Sequence, residues 1–233
     1  MKKKIFILLL LLLLTGCKAN YNLQFNFGGS VIESGKVYFD SSLKGKNGYS
    51  TNTNDFLVQI LKENDASNYK TKIKFESGNY VGYSFYHRYR SINYYNGNSP
   101  LLKSLYSYLN VTNTDGYVKI EANNSNLANY NNPTSDNPTR VESIELTISL
   151  PYKVVKNNAT QVNASKNEYT WYLTPSGNNN INLEYRTTSL YSNNPLDLMR
   201  FVNIYIYIFI VLVIIAISFV VYFRNRAMMR NKF

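Results

Sequence analysis

Residues 141–151 read VESIELTISLP. Ile144, Leu146, Ile148 and Leu150 alternate with Ser143, Glu145, Thr147 and Ser149. Successive side chains of a strand point to opposite faces, so this period puts the aliphatic groups on one face and the polar groups on the other. A strand buried on one side only is typical of an antiparallel sheet with one wet face.

The same alternation recurs on either side. Tyr169–Leu173 (YTWYL) and Ile181–Tyr185 (INLEY) follow, with Pro175, Ser176, Gly177 and the run Asn178–Asn180 as the turn between them. Near the start, Tyr21, Leu23, Phe25 and Phe27 alternate with Asn22, Gln24 and Asn26, and the strand stops at Gly28-Gly29. Lys36–Asp40 is its expected partner. Residues 69–76 (YKTKIKFE) and 80–90 (YVGYSFYHRYR) read as two more strands joined by a turn at Ser77-Gly78-Asn79. On the second, Val81, Tyr83, Phe85, His87 and Tyr89 face one way. Asp115-Gly116 turns the chain into a further strand, YVKIEA.

Two segments switch to helical spacing. In residues 54–64 (NDFLVQILKEN), Phe56, Leu57, Ile60 and Leu61 share a face. In SPLLKSLYSYLN, residues 99–110, Ser99 is placed to cap and Pro100 to take the first helical position, with Leu101, Leu102, Leu105 and Leu109 as the apolar stripe. Ser42–Asn54 and Asn123–Thr139 are polar and read as irregular connections. The expected fold is α+β, an antiparallel sheet with two helices, neither placed as a regular βαβ crossover.

Both ends of the chain are directed at a membrane. Met1–Lys4 is basic, Ile5–Leu14 is apolar, and the chain's one cysteine follows in Leu14-Thr15-Gly16-Cys17. The apolar run is too short to span a hydrocarbon core of roughly 30 Å and suits a secretory signal. Leu-Thr-Gly-Cys resembles the lipobox of bacterial lipoproteins. That resemblance implies a signal peptide over residues 1–16, cleavage before Cys17 and a lipid on its thiol. An ordinary signal peptide with an incidental cysteine would not explain why these features fall in this order.

At the other end, Phe201–Phe223 is a run of 23 residues with Asn203 as its one clearly polar member. As a helix it reaches about 34 Å. The tail RNRAMMRNKF, residues 224–233, carries four positive charges and no acid, so the positive-inside rule puts it in the cytoplasm and the preceding domain outside. The expected organisation is an extracytoplasmic domain over residues 17–199, a transmembrane helix over 200–223 and a basic tail over 224–233.

The formal charge of +11 belongs mostly to these ends. Eight of the 25 basic residues lie there, whereas all 14 acidic residues lie between Glu33 and Asp197. The middle is nearly neutral, which argues against nucleic acid as a partner.

Residues 144–185 contain an alternating strand ending in Leu-Pro, a short linker, an aromatic strand centred on Tyr169-Thr170-Trp171, and the alternating strand Ile181–Tyr185. A lipobox, an early alternating strand and the segment Gly78–Gly82 precede them. In element order this resembles the LppM-type bacterial lipoprotein domain, over roughly residues 18–190. The resemblance implies a membrane-tethered α+β domain on the outer surface that binds lipid-like ligands, and it brings no catalytic residues.

The residues themselves show little sign of catalysis. The single histidine, His87, has no evident partner nearby in sequence, and Cys17 is assigned to the lipid. No Ser-x-x-Lys, G-x-S-x-G, His-Glu-x-x-His or phosphate-loop pattern occurs. Acids are scattered, so no metal cage is expected. The expectation is a non-enzymatic protein without cofactor or metal. Its partners would be membrane lipid, an envelope lipid or glycan, or other membrane proteins for which it serves as an accessory subunit.

There are 22 tyrosines. Compositional bias of an AT-rich genome explains most of them. The best local candidate for a ligand patch is Tyr83, Tyr86, Arg88, Tyr89 and Arg90, where aromatic rings and guanidinium groups interleave.

Overall fold

The computed structural model describes residues 17–40, 72–77, 80–130, 141–202 and 204–230. The expected signal peptide, the loop at 42–54 and the helix at 54–64 lie outside the described residues. The chain is α+β, as the alternation predicts. Its strands are β1 (Cys17–Phe25), β2 (Val31–Asp40), β3 (Lys72–Ser77), β4 (Tyr80–Tyr89), β5 (Asn110–Thr114), β6 (Tyr117–Ala122), β7 (Val141–Ser149), β8 (Tyr152–Asn157), β9 (Gln161–Asn163), β10 (Glu168–Leu173) and β11 (Ile181–Leu190). Helices α1 (Ile92–Asn98) and α2 (Pro100–Leu105) follow β4, and α3 (Pro195–Leu198) and α4 (Ile204–Arg230) close the chain.

The strands form two sheets rather than one. A seven-stranded sheet runs β3-β4-β2-β1-β7-β10-β9, and a four-stranded sheet runs β5-β6-β11-β8. The first is mixed, because β1 and β7 pair in parallel while its other pairs are antiparallel. That register sets Tyr21 beside Leu146 and Leu23 beside Ile148, and β10 adds Trp171 opposite Leu146 and Tyr169 opposite Ile148. The inward residues of both sheets, together with Leu101, Leu102 and Leu105 of α2, make one continuous core. Each fully buried aliphatic side chain in it contributes roughly 1.5–3 kcal/mol.

Local chemistry accounts for the turns. Asp115 (φ 51°) and Gly116 (φ 80°) make the two-residue loop between β5 and β6, where left-handed backbone matches the strand twist. Gly28 and Gly29 (φ 81° and 82°) serve the β1–β2 turn, closed by Asn26 N–H donating to Ser30 O at 2.9 Å.

Several expectations change. The helix predicted at 99–110 is six residues long and stops at Leu105. Ser99 does cap it, accepting from Leu102 N–H at 2.9 Å, and Pro100 does open it. Tyr106 then turns extended, with its backbone N–H closing on Leu102 O and its hydroxyl donating to Asn179 O. Leu109 is buried all the same, from outside the helix. The helix α1 was not legible in INYYNGN, whose residues are poor helix formers. Ser91 Oγ caps it by accepting from Tyr94 N–H at 3.1 Å. The linker after Pro151 holds β8 and β9. The polar stretch at 123–139 contains a 3₁₀ turn, Asn126–Tyr130, that buries Leu127.

The C-terminal boundary also shifts. Arg200 and Phe201, expected to start the apolar span, belong to a 3₁₀ turn (Met199–Phe201) fastened to the domain. Phe201 is buried edge-on against Phe27 and Tyr191, with ring centroids at 6.4 and 5.9 Å. The helix α4 follows. Over Tyr205–Arg224 it is long and apolar enough to cross a membrane, and none of that window is buried.

Gly35 shows how tightly the central strands are set. A Cβ there would clash with the Asn20 backbone oxygen and meet the Phe85 ring at 2.7 Å. Gly35→Ala therefore forces the β1–β2 backbone or the Phe85 ring to move. It is expected to cost about 1–3 kcal/mol, read as a lower urea midpoint with an unchanged slope.

Candidate functional site

The candidate patch on β4 divides between two faces. Tyr86 is 40% exposed, Arg90 is exposed, and Arg88 is half-buried with Nη2 donating to Ser30 Oγ at 3.3 Å. Tyr89 is 2% exposed and belongs to the core. Strand alternation separates them, so the five residues do not form one surface. Tyr83 lies on the β4 backbone opposite Val37 of β2. The surface part gains a member the patch did not include: Arg90 lies over the Tyr94 ring at 4.5 Å, a cation–π contact at the start of α1. His87 packs edge-on against Tyr89 at 4.3 Å.

Tyr89 leads to the polar centre of the domain. Its hydroxyl donates to Glu33 Oε2 at 2.8 Å. Ser99 Oγ donates to Glu33 Oε1 at 2.5 Å, and the Tyr21 hydroxyl donates to the same oxygen. A hydroxyl has a single hydrogen. Tyr21 spends its own on Glu33, so Tyr95 is the donor in the 2.7 Å contact between their hydroxyls. The network joins β1, β2, β4, α1 and the junction between α1 and α2. Glu33 and Ser99 are 0% exposed.

Burial, first, and the nearby Glu33 carboxyl, second, push the Tyr21 and Tyr95 hydroxyls well above the ordinary tyrosine range. All five of its side chains are buried, so the cluster reads as a structural clamp. The sequence carried a signal for it. In VIESGKV, Glu33 stands in the inward register between Val31 and Gly35, where a carboxyl must find buried partners. Starting the partner strand at Lys36 hid that.

A lipid-like ligand would need an apolar groove between sheet and helices, with the helices expected at 54–64 and 99–110 as one wall, and α2 does not form it. Its leucines are spent on the core, and the other expected wall, at 54–64, lies outside the described residues. A recess of about 180 Å³ is lined by Ser107, Tyr108, Asn110, Glu121, Asn123 and Asn124. It is polar and smaller than the roughly 300–1,000 Å³ of ordinary ligand pockets. Among the described residues no group of three or more His, Cys, Asp or Glu is placed to hold a metal ion.

Cys17 is the first residue of β1, and its backbone pairs with Val141 of β7. At the far end of the same strand, Phe27 N–H donates to Phe201 O at 3.2 Å and Gln24 Nε2 donates to Arg200 O at 2.7 Å. Arg200 in turn pairs with Glu168 at 3.1 Å.

No protein-family model matches the chain, and no curated protein matches it. Among solved structures, the NMR structure of the folded domain of LppM from Mycobacterium tuberculosis is similar with a TM-score of 0.48 and 11% identity, over 78% of this chain and 92% of that one.

Two outcomes are expected from this geometry. Glu33→Leu leaves three buried hydroxyls without their acceptor, at about 1–3 kcal/mol each, so the thermal midpoint should collapse, whereas Ser99→Ala should lower it modestly. Alkaline pH should also destabilise the domain. Burial and the neighbouring Tyr152 raise Tyr185 from 10.0 to about 12. The folded chain holds this proton where the unfolded chain has released it, so the contribution is full below pH 10 and is lost between pH 10 and 12. Thermal scans across that window should show the decline, and Tyr185→Phe should lessen it without abolishing it, because the buried Tyr21, Tyr95 and Tyr106 hydroxyls are raised in the same direction.

Proposed function

We propose that this chain is a non-enzymatic bacterial cell-surface lipoprotein, tethered to the membrane at both ends, that binds a lipid or envelope component outside the cell. The observation that carries the reading is the apolar window Tyr205–Arg224, none of it buried, beginning four residues after Phe201 is locked into the domain. A fully exposed apolar helix of that length has no stable place in water. The lipobox resemblance at Cys17 supplies the second tether. A lipidated cysteine and a spanning helix would each hold the domain at the bilayer, the helix in effect irreversibly. The exposed group Tyr86, Arg90 and Tyr94 supports recognition of a headgroup or glycan, since stacked aromatic and guanidinium surfaces suit both.

The test uses the full chain in its own membrane. Radiolabelled palmitate is expected on the wild type and absent from Cys17→Ala. Protease added from outside should digest the domain and spare the basic tail. An unlabelled wild type sinks the lipoprotein reading, and a tail cut from outside sinks the orientation. Native mass spectrometry of the full chain released from lipid nanodiscs should then show a retained lipid-sized mass, reduced in Arg90→Ala. If replacing Phe201–Phe223 by an unrelated apolar helix abolishes function while ligand retention persists, the accessory-subunit role replaces the binding role.

A further inference from the structure

We propose that the outer face of the seven-stranded sheet lies on the headgroup layer of the bilayer, with β1 running along the membrane plane. The inference rests on the double-tether reading above and goes beyond it. Its premise is that the two anchors sit at opposite ends of one strand. Cys17 is the first residue of β1 and Phe25 the last, a separation of about 26 Å at the usual rise per residue. No linker stands between Cys17 and the sheet, because Lys18 is already paired with Tyr38. At the other end, Phe201 is hydrogen-bonded to Phe27 and α4 begins at Ile204, within about 10 Å of chain. A domain standing upright on α4 would carry Cys17 well clear of the bilayer. Both anchors reach lipid together when β1 lies flat.

The position of β1 decides which surface is presented. It is the fourth of seven strands, so either sheet edge is roughly 14 Å away at the usual strand spacing. An edge-on domain would lift both ends of β1, and a face must therefore meet the membrane. The inner face, with Tyr21, Leu23 and Phe25, is closed by the core. Among the described residues the outer face is the one available, with Asn22 and Tyr172 exposed on it.

A second observation points the same way. Gln24 and Glu168 belong to the outer face, in one row through Ser149, and they hold the Arg200 carbonyl and guanidinium. The chain leading into α4 is thus fastened on the outer-face side. This face is built from Asn20, Asn22, Gln24, Thr147, Thr170 and Tyr172, with Thr147 and Thr170 hydrogen-bonded across the strands at 2.9 Å. It presents amides and hydroxyls that donate and accept, which suits phosphodiester and glycerol groups and does not suit acyl chains. Among the described side chains of this face, Lys36 and Arg88 stand with Glu145, while Glu168 is engaged by Arg200; the proposal rests on the tethers and not on net charge.

The test places a fluorophore at single introduced cysteines in the full chain, reconstituted in phosphatidylcholine–phosphatidylglycerol vesicles containing a headgroup spin-labelled lipid. Asn22 and Tyr172 on the outer face are exposed, as is Val155 on the second sheet, so these substitutions leave the core intact. Strong quenching is expected with Asn22→Cys and Tyr172→Cys and little with Val155→Cys. In the Cys17→Ala background, quenching at Asn22→Cys should drop. Equal quenching at all three sites, with palmitate present on Cys17 and the tail protected, overturns the orientation and leaves the double tether standing. Absence of palmitate from the wild type overturns both.

Discussion

The fold depends on one buried carboxyl. Glu33 is fully enclosed, and enclosing such a group is costly unless its oxygens are satisfied. Three hydroxyls from β1, β4 and the entry to α2 satisfy them. Because the partners come from separate segments, the network forms only when those segments are in their native registers. Tyr21 must sit opposite Gly35, and Glu33 opposite His87, for the hydroxyls to converge. A slip of β2 by one residue would turn Glu33 to the outer face, away from the Tyr21 and Tyr89 hydroxyls. The clamp therefore selects register as well as contributing energy. It also explains why two short helices, each too short to be stable alone, hold their places: Tyr95 and Ser99 tie them to the sheet.

How much of this was legible in the sequence follows from how local each feature is. The strands at 141–149 and 168–173 were plain because each is half-buried and its period of two is uninterrupted. The cap at Ser99-Pro100 was plain because capping is decided within four residues. The parallel pairing of β1 with β7 was not, since it joins segments about 120 residues apart and no local pattern encodes a partner's direction. The end of α2 was misjudged because Leu109 continues the helical stripe in sequence while reaching the core from extended chain. Phe201 was assigned to the span because an apolar residue beside an apolar run carries no mark of which solvent it prefers; Phe27 and Tyr191 decide that in three dimensions. The candidate patch mixed faces for the same reason. Tyr86 and Tyr89 look alike in composition, and only the pleat and the Glu33 acceptor separate the exposed ring from the buried one.

The outer face of the large sheet shows what the core leaves over. Among the described residues, the apolar surfaces of both sheets and of α2 are consumed by a single core, and the recess beside β5 and β6 is small and polar. A sheet face that is apolar and exposed invites association; here the described outer face carries many amides and hydroxyls, which gain little from apolar contact. Such a face adheres weakly to anything unless it is held close. In the proposed double tether, two anchors at the ends of its central strand would supply that closeness, raising the effective concentration of headgroups at the face without any strong individual contact. Under that proposal the weakness of the surface and the strength of the tethers belong to the same physical arrangement: a domain held at the bilayer by its anchors, with a face left free to exchange one headgroup for another.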